Sequence, residues 1–197
     1  MHSEMDQNCQ NVRYWKYVLW FSFAAITRKC YLSLGCQSEE YEALLEFRSS
    51  IFNYSSTYPD LWGEERDCCN WEGVRCENTT MRVTELILPG FMQQATEYYS
   101  MASIKYWHLN FSVFSSFSKL TKLELPANYI AGSLHSLDTR RLEKLETLKL
   151  SSNQLEGNIP SSLGELSAIR VLDLSINNLR GTLNLQGNSL SSATLKY

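Results

Sequence analysis

Hydrophobic and polar residues follow a repeating pattern through the second half of the chain. Residues 145–155, LETLKLSSNQL, have leucine at positions one, four, six and eleven of the pattern and asparagine at position nine. The two central leucines are separated by one residue, so the local period is two and predicts a short strand instead of an amphipathic helix. The pattern recurs 25 residues earlier with Leu123, Leu125 and Asn128, and 24 residues later with Leu172, Leu174 and Asn177.

Stacking such repeats gives every strand a buried side and an outward side. One repeat cannot bury its own leucines, whereas stacked repeats share a continuous core. The asparagine amide can bond backbone groups where the strand ends, and Gly132, Gly157 and Gly181 suit a tight turn. We therefore predict an α/β repeat solenoid with an outward, concave face that could bind a ligand. The candidate residues on this face are Lys122, Glu124, Thr147, Lys149, Ser151, Val171, Asp173 and Ser175.

The chain before the regular repeats contains one matching strand and one irregular stretch. Residues 83–88, VTELIL, fit the opening strand, but Phe91 stands where the asparagine is expected. Residues 91–118 are rich in aromatic side chains and match no repeat. Either an irregular repeat or a helical insertion is expected there.

A helix is predicted over residues 39–52, which lack glycine and proline and carry large side chains along one side. That side consists of Tyr41, Leu44, Leu45, Arg48 and Phe52. Its position before the first strand predicts a lid over the core of the first repeat, and Trp71 is expected to pack in the same lid. A helix that binds a partner is the alternative.

Four of the six cysteines, Cys36, Cys68, Cys69 and Cys76, flank the start of the repeats. This clustering predicts a cap at residues 36–81 that is stapled by disulfides, and therefore an oxidising compartment. A zinc site is the alternative, but adjacent Cys68 and Cys69 fit poorly among four tetrahedral ligands. Four cysteines allow three pairings, and the sequence alone does not choose among them.

The N-terminal residues resemble a secretory signal. Residues 18–26, VLWFSFAAI, form an apolar run that follows Arg13 and Lys16. We interpret residues 1–35 as a signal peptide, and we call it imperfect because residues 27–29 (TRK) interrupt the path to a cleavage site before Cys36. A buried helix segment in a cytosolic protein is the alternative. Cleavage there would remove Cys9 and Cys30 and leave an even number of cysteines.

Three glycosylation sequons agree with secretion. They begin at Asn53, Asn78 and Asn110. The chain is therefore expected to be a glycoprotein of the secretory pathway.

Charge and motif content exclude several classes of function. The net charge of −3 gives no basic excess for nucleic acid, and no run of 18 apolar residues could span a bilayer as a helix. The only histidines are His2, His108 and His135, and common hydrolase, nucleotide and metalloprotease motifs are absent. We expect a binding protein that is not an enzyme and needs no metal or cofactor.

Two segments of the cap and one repeat resemble a known family. Residues 36–47, CQSEEYEALLEF, and residues 67–76, DCCNWEGVRC, are similar to the N-terminal cap of plant extracellular leucine-rich-repeat proteins. Residues 82–86, RVTEL, continue the similarity, and residues 155–160, LEGNIP, match the plant-specific form of the repeat.

The resemblance implies a right-handed leucine-rich-repeat solenoid over residues 82–197, with Cys36 paired to Cys68 and Cys69 to Cys76. It also implies a receptor-like protein at the plasma membrane or outside the cell, which perceives a protein or peptide ligand, with a co-receptor, in defence or development. A secreted inhibitor of cell-wall-degrading enzymes such as polygalacturonase is the alternative. The pattern ends near Leu183, so a truncated front piece without an independent function, with exposed leucines in its last repeat, is a third hypothesis.

Overall fold

The computed structural model describes residues 35–52, 62–63, 65–90, 106–182 and 194–196. The expected signal peptide with Cys9 and Cys30, the sequon at Asn53 and the aromatic stretch 91–105 lie outside the described residues. The described residues from Cys36 onward belong to one structural unit.

Helix α1 spans Ser38–Phe52, which confirms the predicted helix and its place in the cap. Its buried residues are Glu40, Ala43, Leu44, Phe47 and Ile51. The predicted face is therefore displaced around the helix by about one residue. The reason is that Tyr41 packs at the margin on Trp71, with ring centroids 5.2 Å apart, while Phe47 points into the first repeat.

Two disulfides staple the cap around a short 3-10 helix, Cys68–Asn70. Cys36 is bonded to Cys68 and Cys69 to Cys76, with Cα separations of 5.7 and 5.5 Å; this is the pairing that the resemblance implies. The Asp67 side chain accepts a hydrogen bond from the Cys69 N–H at 2.9 Å and so begins the 3-10 helix. The adjacent cysteines therefore point to different partners.

The first sheet carries the concave face. Strands β1 (Val74–Cys76) and β2 (Val83–Ile87) pair antiparallel. Strands β4 (Lys122–Glu124), β6 (Thr147–Lys149), β8 (Val171–Asp173) and β10 (Thr194–Lys196) then follow β2 in parallel. The register aligns Leu86, Leu123, Leu148 and Leu172, and all four are at most 1% exposed. This row is the shared core that the leucine spacing predicts.

A second sheet lies on another side of the solenoid, and the sequence pattern did not predict it. It consists of β3 (Trp107–His108), β5 (Ile130–Gly132), β7 (Gln154–Asn158) and β9 (Asn178–Arg180), all parallel. Strands β5, β7 and β9 each follow the asparagine of a repeat, and buried residues of this sheet, such as Ile130 and Leu155, complete the core.

Residues 106–118 behave as the second half of an irregular repeat. Strand β3 pairs with β5, and a 3-10 helix, Phe111–Ser116, follows it. Trp107, Phe111, Phe114 and Phe117 are each at most 1% exposed, where the later repeats use leucines. Aromatic side chains thus fill this repeat, which explains why the leucine pattern does not detect it.

Two leucines of the last regular repeat are buried, where the third hypothesis expects exposed leucines. Leu172 and Leu174 are only 1% and 3% exposed. Strand β10 pairs in parallel with β8, with Thr194 opposite Val171. Residues 194–196 therefore supply a further strand beyond Leu183, where the leucine pattern ends.

Candidate functional site

The concave face is the outward side of the first sheet, and the register places the predicted residues in two rows. The first row contains Lys122, Thr147 and Val171, and the second contains Glu124, Lys149 and Asp173. Each of these side chains is partly exposed, because alternate residues of a strand point to opposite sides of the sheet. Glu85 and Ile87 of β2 begin the same two rows.

Ion pairs connect neighbouring strands across the N-terminal part of this face. Glu85 Oε1 accepts a hydrogen bond from Lys122 Nζ at 3.0 Å, and Glu85 Oε2 lies 3.4 Å from Arg75 Nε. Glu124 Oε1 lies 3.1 Å from Lys149 Nζ. Partly exposed pairs of this kind contribute about 0–1 kcal/mol each. The charges of these ion pairs compensate one another within the face. A ligand must therefore either break an ion pair or contact the uncharged positions of the face.

The neutral positions lie toward β8. Thr147 and Val171 are adjacent in the register and carry no charge. Asp173 bonds to the turn that follows its own strand: its Oδ1 accepts hydrogen bonds from Ser175 N and Ser175 Oγ at 3.1 and 2.6 Å. The predicted residue Ser151 occupies the corresponding turn after β6, and its carbonyl accepts from Ala127 N at 2.9 Å.

A ladder of asparagines fixes the edge of the face. Asn153 Oδ1 accepts hydrogen bonds from the N–H groups of Asn128 (2.9 Å) and Ile130 (3.1 Å) in the preceding repeat. Its Nδ2 donates to the carbonyls of Leu125 and Leu150, both at 2.9 Å. One side chain therefore satisfies buried backbone groups of two repeats, as the sequence pattern predicts.

The residue before each ladder position has a left-handed backbone. The φ angles are 61° at Gly90, 58° at Ala127, 57° at Ser152 and 56° at Ile176. This conformation is unfavourable for a β-branched residue, yet Ile176 adopts it and is 76% exposed. It places an apolar side chain at the end of the concave face, beside Ser175.

The cap is joined to the first sheet by a buried carboxylate. Glu40 is fully buried, and its Oε2 accepts a hydrogen bond from Val83 N at 3.0 Å. Its Oε1 lies 3.5 Å from Arg82 Nη1, which also pairs with Glu39 at 3.2 Å. Burial raises the pKa of Glu40 above its ordinary value, although the Val83 N–H and the Arg82 charge act in the opposite direction.

Two of the three predicted sequons lie in described, exposed positions. Asn78 is in the turn before β2. Asn110 precedes the 3-10 helix, and its Oδ1 accepts a hydrogen bond from Ser112 N at 3.1 Å. Both positions leave room for a glycan, and glycosylation at either site stays a prediction.

Two other kinds of site are absent from the described residues. No group of three or more histidine, cysteine or acidic side chains among them could hold a metal ion. Of the helices in the same ranges, none has the length and apolar character needed to cross a membrane.

Sequence reasoning missed three residues that border the concave face. Glu85 and Ile87 could have been found, because residues 83–88 already align with the later strands. Ile176 had no detectable signal, since its importance depends on a backbone angle and an exposure that the leucine pattern does not encode.

A stapled helical cap, stacked parallel strands and an asparagine ladder define a leucine-rich-repeat solenoid. Residues 37–77 match the family model for a leucine rich repeat N-terminal domain, and residues 144–166 match that for the leucine rich repeat. The chain is a leucine-rich-repeat protein related to plant receptor-like proteins.

Relatives and solved structures place the fold among plant ectodomains. Receptor-like protein 56 of Arabidopsis thaliana is 29% identical over 77% of this chain and 16% of its own length. The chain thus spans about a sixth of the length of that relative. The leucine-rich-repeat ectodomain of the Arabidopsis receptor kinase SOBIR1 is 26% identical, with a TM-score of 0.58 over 81% of this chain and 78% of that one.

A third similarity concerns a structure with a bound molecule. The ectodomain of the Arabidopsis receptor kinase GASSHO1/SCHENGEN3, solved in complex with CASPARIAN STRIP INTEGRITY FACTOR 2, is 32% identical to this chain. The TM-score is 0.53, over 70% of this chain and 15% of that one.

Proposed function

We propose that this chain is an extracellular recognition module whose concave face binds a protein or peptide ligand. In this proposal it acts as part of a receptor-like protein that perceives a signal at the cell surface, in defence or development, together with a co-receptor. It binds its ligand without catalysing a reaction.

The observation that carries the proposal is the continuous row of outward side chains along parallel strands. Glu85, Lys122, Thr147 and Val171 align side by side from β2 to β8. Strands lie about 4.8 Å apart in a sheet, so the row offers evenly spaced contacts to an extended ligand. The complex of a similar ectodomain, GASSHO1/SCHENGEN3, with another molecule supports a binding role.

The neutral part of the row is where we expect the ligand to gain most of its affinity. Thr147 and Val171 can be desolvated at little cost, whereas contact with Lys122 or Lys149 would disturb the pairs with Glu85 and Glu124. Desolvating a charge whose partner is lost is costly. A peptide with an apolar side chain over Val171 fits this distribution.

The proposal is tested by selecting displayed random peptides on the secreted, purified protein and measuring the affinity of the selected peptide by calorimetry. Val171→Arg adds a long cation to the neutral part of the face and should weaken binding by at least about tenfold, since unmatched charge and bulk both oppose contact. Glu165→Arg, in the 3-10 helix Ser161–Glu165 away from β8, is the matched control and should bind like the unmodified protein.

Equal loss in both variants, or in neither, would contradict a binding site on the concave face. Inhibition of a fungal polygalacturonase at micromolar protein, abolished by Val171→Arg, would favour the enzyme-inhibitor alternative over a receptor role.

A further inference from the structure

A pair of tyrosines, one exposed and one partly buried, lies at the second sheet, away from the concave face. Tyr106 is 48% exposed, and its ring centroid is 6.3 Å from that of Tyr129, with the planes inclined at 59°. The two residues precede paired strands: β3 begins at Trp107 and β5 at Ile130, and these two residues are opposite each other. The rings therefore lie on neighbouring layers of the solenoid.

The backbone beneath the tyrosine pair is held in place from the core. Tyr129 has a φ of 55°, a conformation that few bulky residues adopt. Trp107 is fully buried below it; its Nε1 donates to Asn128 O at 2.6 Å and its backbone N–H to Tyr129 O at 3.3 Å. Strain of this kind persists only where the surroundings impose it, so the backbone that carries the Tyr129 side chain is fixed by the buried Trp107.

Polar side chains lie beside the tyrosine pair on the neighbouring strands of the second sheet. His108 is opposite Ala131, and Ala131 is opposite Gln154. A Cβ placed on Gly132 would lie 3.8 Å from the His108 ring, which is ordinary van der Waals contact, so the imidazole lies directly beside Gly132. His108 and Gln154 are exposed, and within the described part of the chain neither side chain has a hydrogen-bond partner.

The chemistry of these side chains selects a neutral ligand rich in hydroxyl groups. A tyrosine ring offers an apolar surface with a polar tip, which suits the C–H face of a sugar ring. Imidazole and amide groups each both donate and accept hydrogen bonds, and hydroxyl groups do the same. An all-proline segment offers backbone acceptors alone, because proline has no N–H, and it would leave the accepting atoms of Gln154 unused.

Charge separates this surface from the concave face. Tyr106, His108, Tyr129, Ala131, Gly132 and Gln154 include no acidic, lysine or arginine side chain, whereas each of strands β4, β6 and β8 presents a charged residue on the concave face. The exposed carboxylate of Glu156, two residues after Gln154 on β7, borders these residues and opposes an anionic ligand. We propose that these six residues, the tyrosine shelf, bind a neutral oligosaccharide, with Tyr106 and Tyr129 packing on sugar rings and Gln154 and His108 bonding hydroxyl groups.

Calorimetry with the full secreted chain tests the tyrosine shelf. The probes are two neutral sugars, cellohexaose and mannohexaose, together with the acidic hexamer of galacturonic acid and a proline decamer. We expect at least one neutral sugar to bind with a dissociation constant below about 5 mM. Tyr106→Ala and Gln154→Ala should each weaken it by about fivefold or more, while Tyr106→Phe keeps the ring and retains most of the affinity.

The control Glu165→Arg should bind sugar like the unmodified protein, and Tyr106→Ala should keep its affinity for a peptide selected on the concave face. That second result separates the failure of this site from the failure of the concave one. The proposal is overturned if neither neutral sugar binds, if the galacturonic acid hexamer or the proline decamer binds more tightly, or if Tyr106→Ala leaves sugar binding unchanged.

Discussion

The first and last parts of this solenoid build the same strand geometry from different side chains. Between the cap and the first repeat the core is aromatic. The ring centroid of Phe47 lies 6.1 Å from that of Trp62, 5.9 Å from that of Trp107 and 5.9 Å from that of Phe114. In the later repeats it is aliphatic, with Leu148, Leu155 and Leu163 fully buried. Large rings fill the irregular space between a helix and a repeat. Identical leucines suit successive repeats, because each repeat is stacked on the previous one in the same geometry.

The polar groups differ between the two parts in the same way. The cap is joined to β2 by a buried carboxylate, Glu40, and its neighbour Arg82. The later repeats are joined by neutral amides, Asn153 and Asn177, each donating to and accepting from backbone groups. A neutral ladder is indifferent to pH, while a buried carboxylate is not.

The aromatic cluster should be the most sensitive part of the fold. Phe47→Ala removes the ring that contacts Trp62, Trp107 and Phe114, and a cavity of that kind typically costs about 3–5 kcal/mol of unfolding free energy. Denaturant unfolding followed by tryptophan fluorescence measures it, because Trp62, Trp71 and Trp107 are buried in this region.

The neighbouring exposed residue of α1, Glu46, supplies the control: Glu46→Ala should change the midpoint little. If Phe47→Ala proves as mild as that control, the cap does not depend on the aromatic cluster, and the contrast between the two regions fails.

The asparagine ladder should show the next largest effect, graded by burial. Asn153 is 3% exposed, and Asn153→Ala leaves the N–H groups of Asn128 and Ile130 without their acceptor, at a cost of about 2–4 kcal/mol. Asn177 is partly exposed, so water can replace part of its bonds and Asn177→Ala should cost about half as much. Midpoints of denaturant unfolding, compared under one condition, give the ratio; equal losses would mean that burial does not set the value of a ladder position.

The leucine spacing predicted the part of the fold that repeats. The strands at Lys122, Thr147 and Val171, the asparagine contacts and the turn glycines follow from a pattern in which each position has one physical role. The outward residues of the candidate site followed too, because strand alternation fixes which residues point away from the core.

Features that depend on contacts distant in sequence could not be predicted. The face of α1 was displaced because Tyr41 packs on Trp71, a partner thirty residues away. The repeat at residues 106–118 was hidden by Trp107 and Phe114, which fill leucine positions with larger rings. The pairing of Glu85 with Lys122 needed the register of two strands that are separated by an irregular segment.

The smallest of the predicted effects concerns Glu40 and tests whether its charge distinguishes the cap from the ladder. The pKa of Glu40 is raised in the folded protein above the ordinary value of 4.5, which applies in the unfolded chain. At a pH between the pKa of Glu40 in the unfolded chain and its pKa in the folded protein, the folded protein binds more protons than the unfolded chain. The unfolding free energy should therefore rise as the pH falls through the folded-state pKa. It should level off once the pH is below the unfolded value.

Glu40→Gln keeps an acceptor for the Val83 N–H and removes the charge, so this variant should lack that contribution to the pH dependence. The neighbouring Glu39→Gln is the matched control: Glu39 also pairs with Arg82 but is 60% exposed along its side chain. Its charge is the smallest of the causes that act on the pKa of Glu40, so its variant should keep most of the slope of the unmodified protein. Denaturant midpoints of the three proteins from pH 4 to 8 measure the difference. Parallel curves for Glu40→Gln and the unmodified protein would show that Arg82 compensates the buried charge fully, and the cap would then be as indifferent to pH as the asparagine ladder.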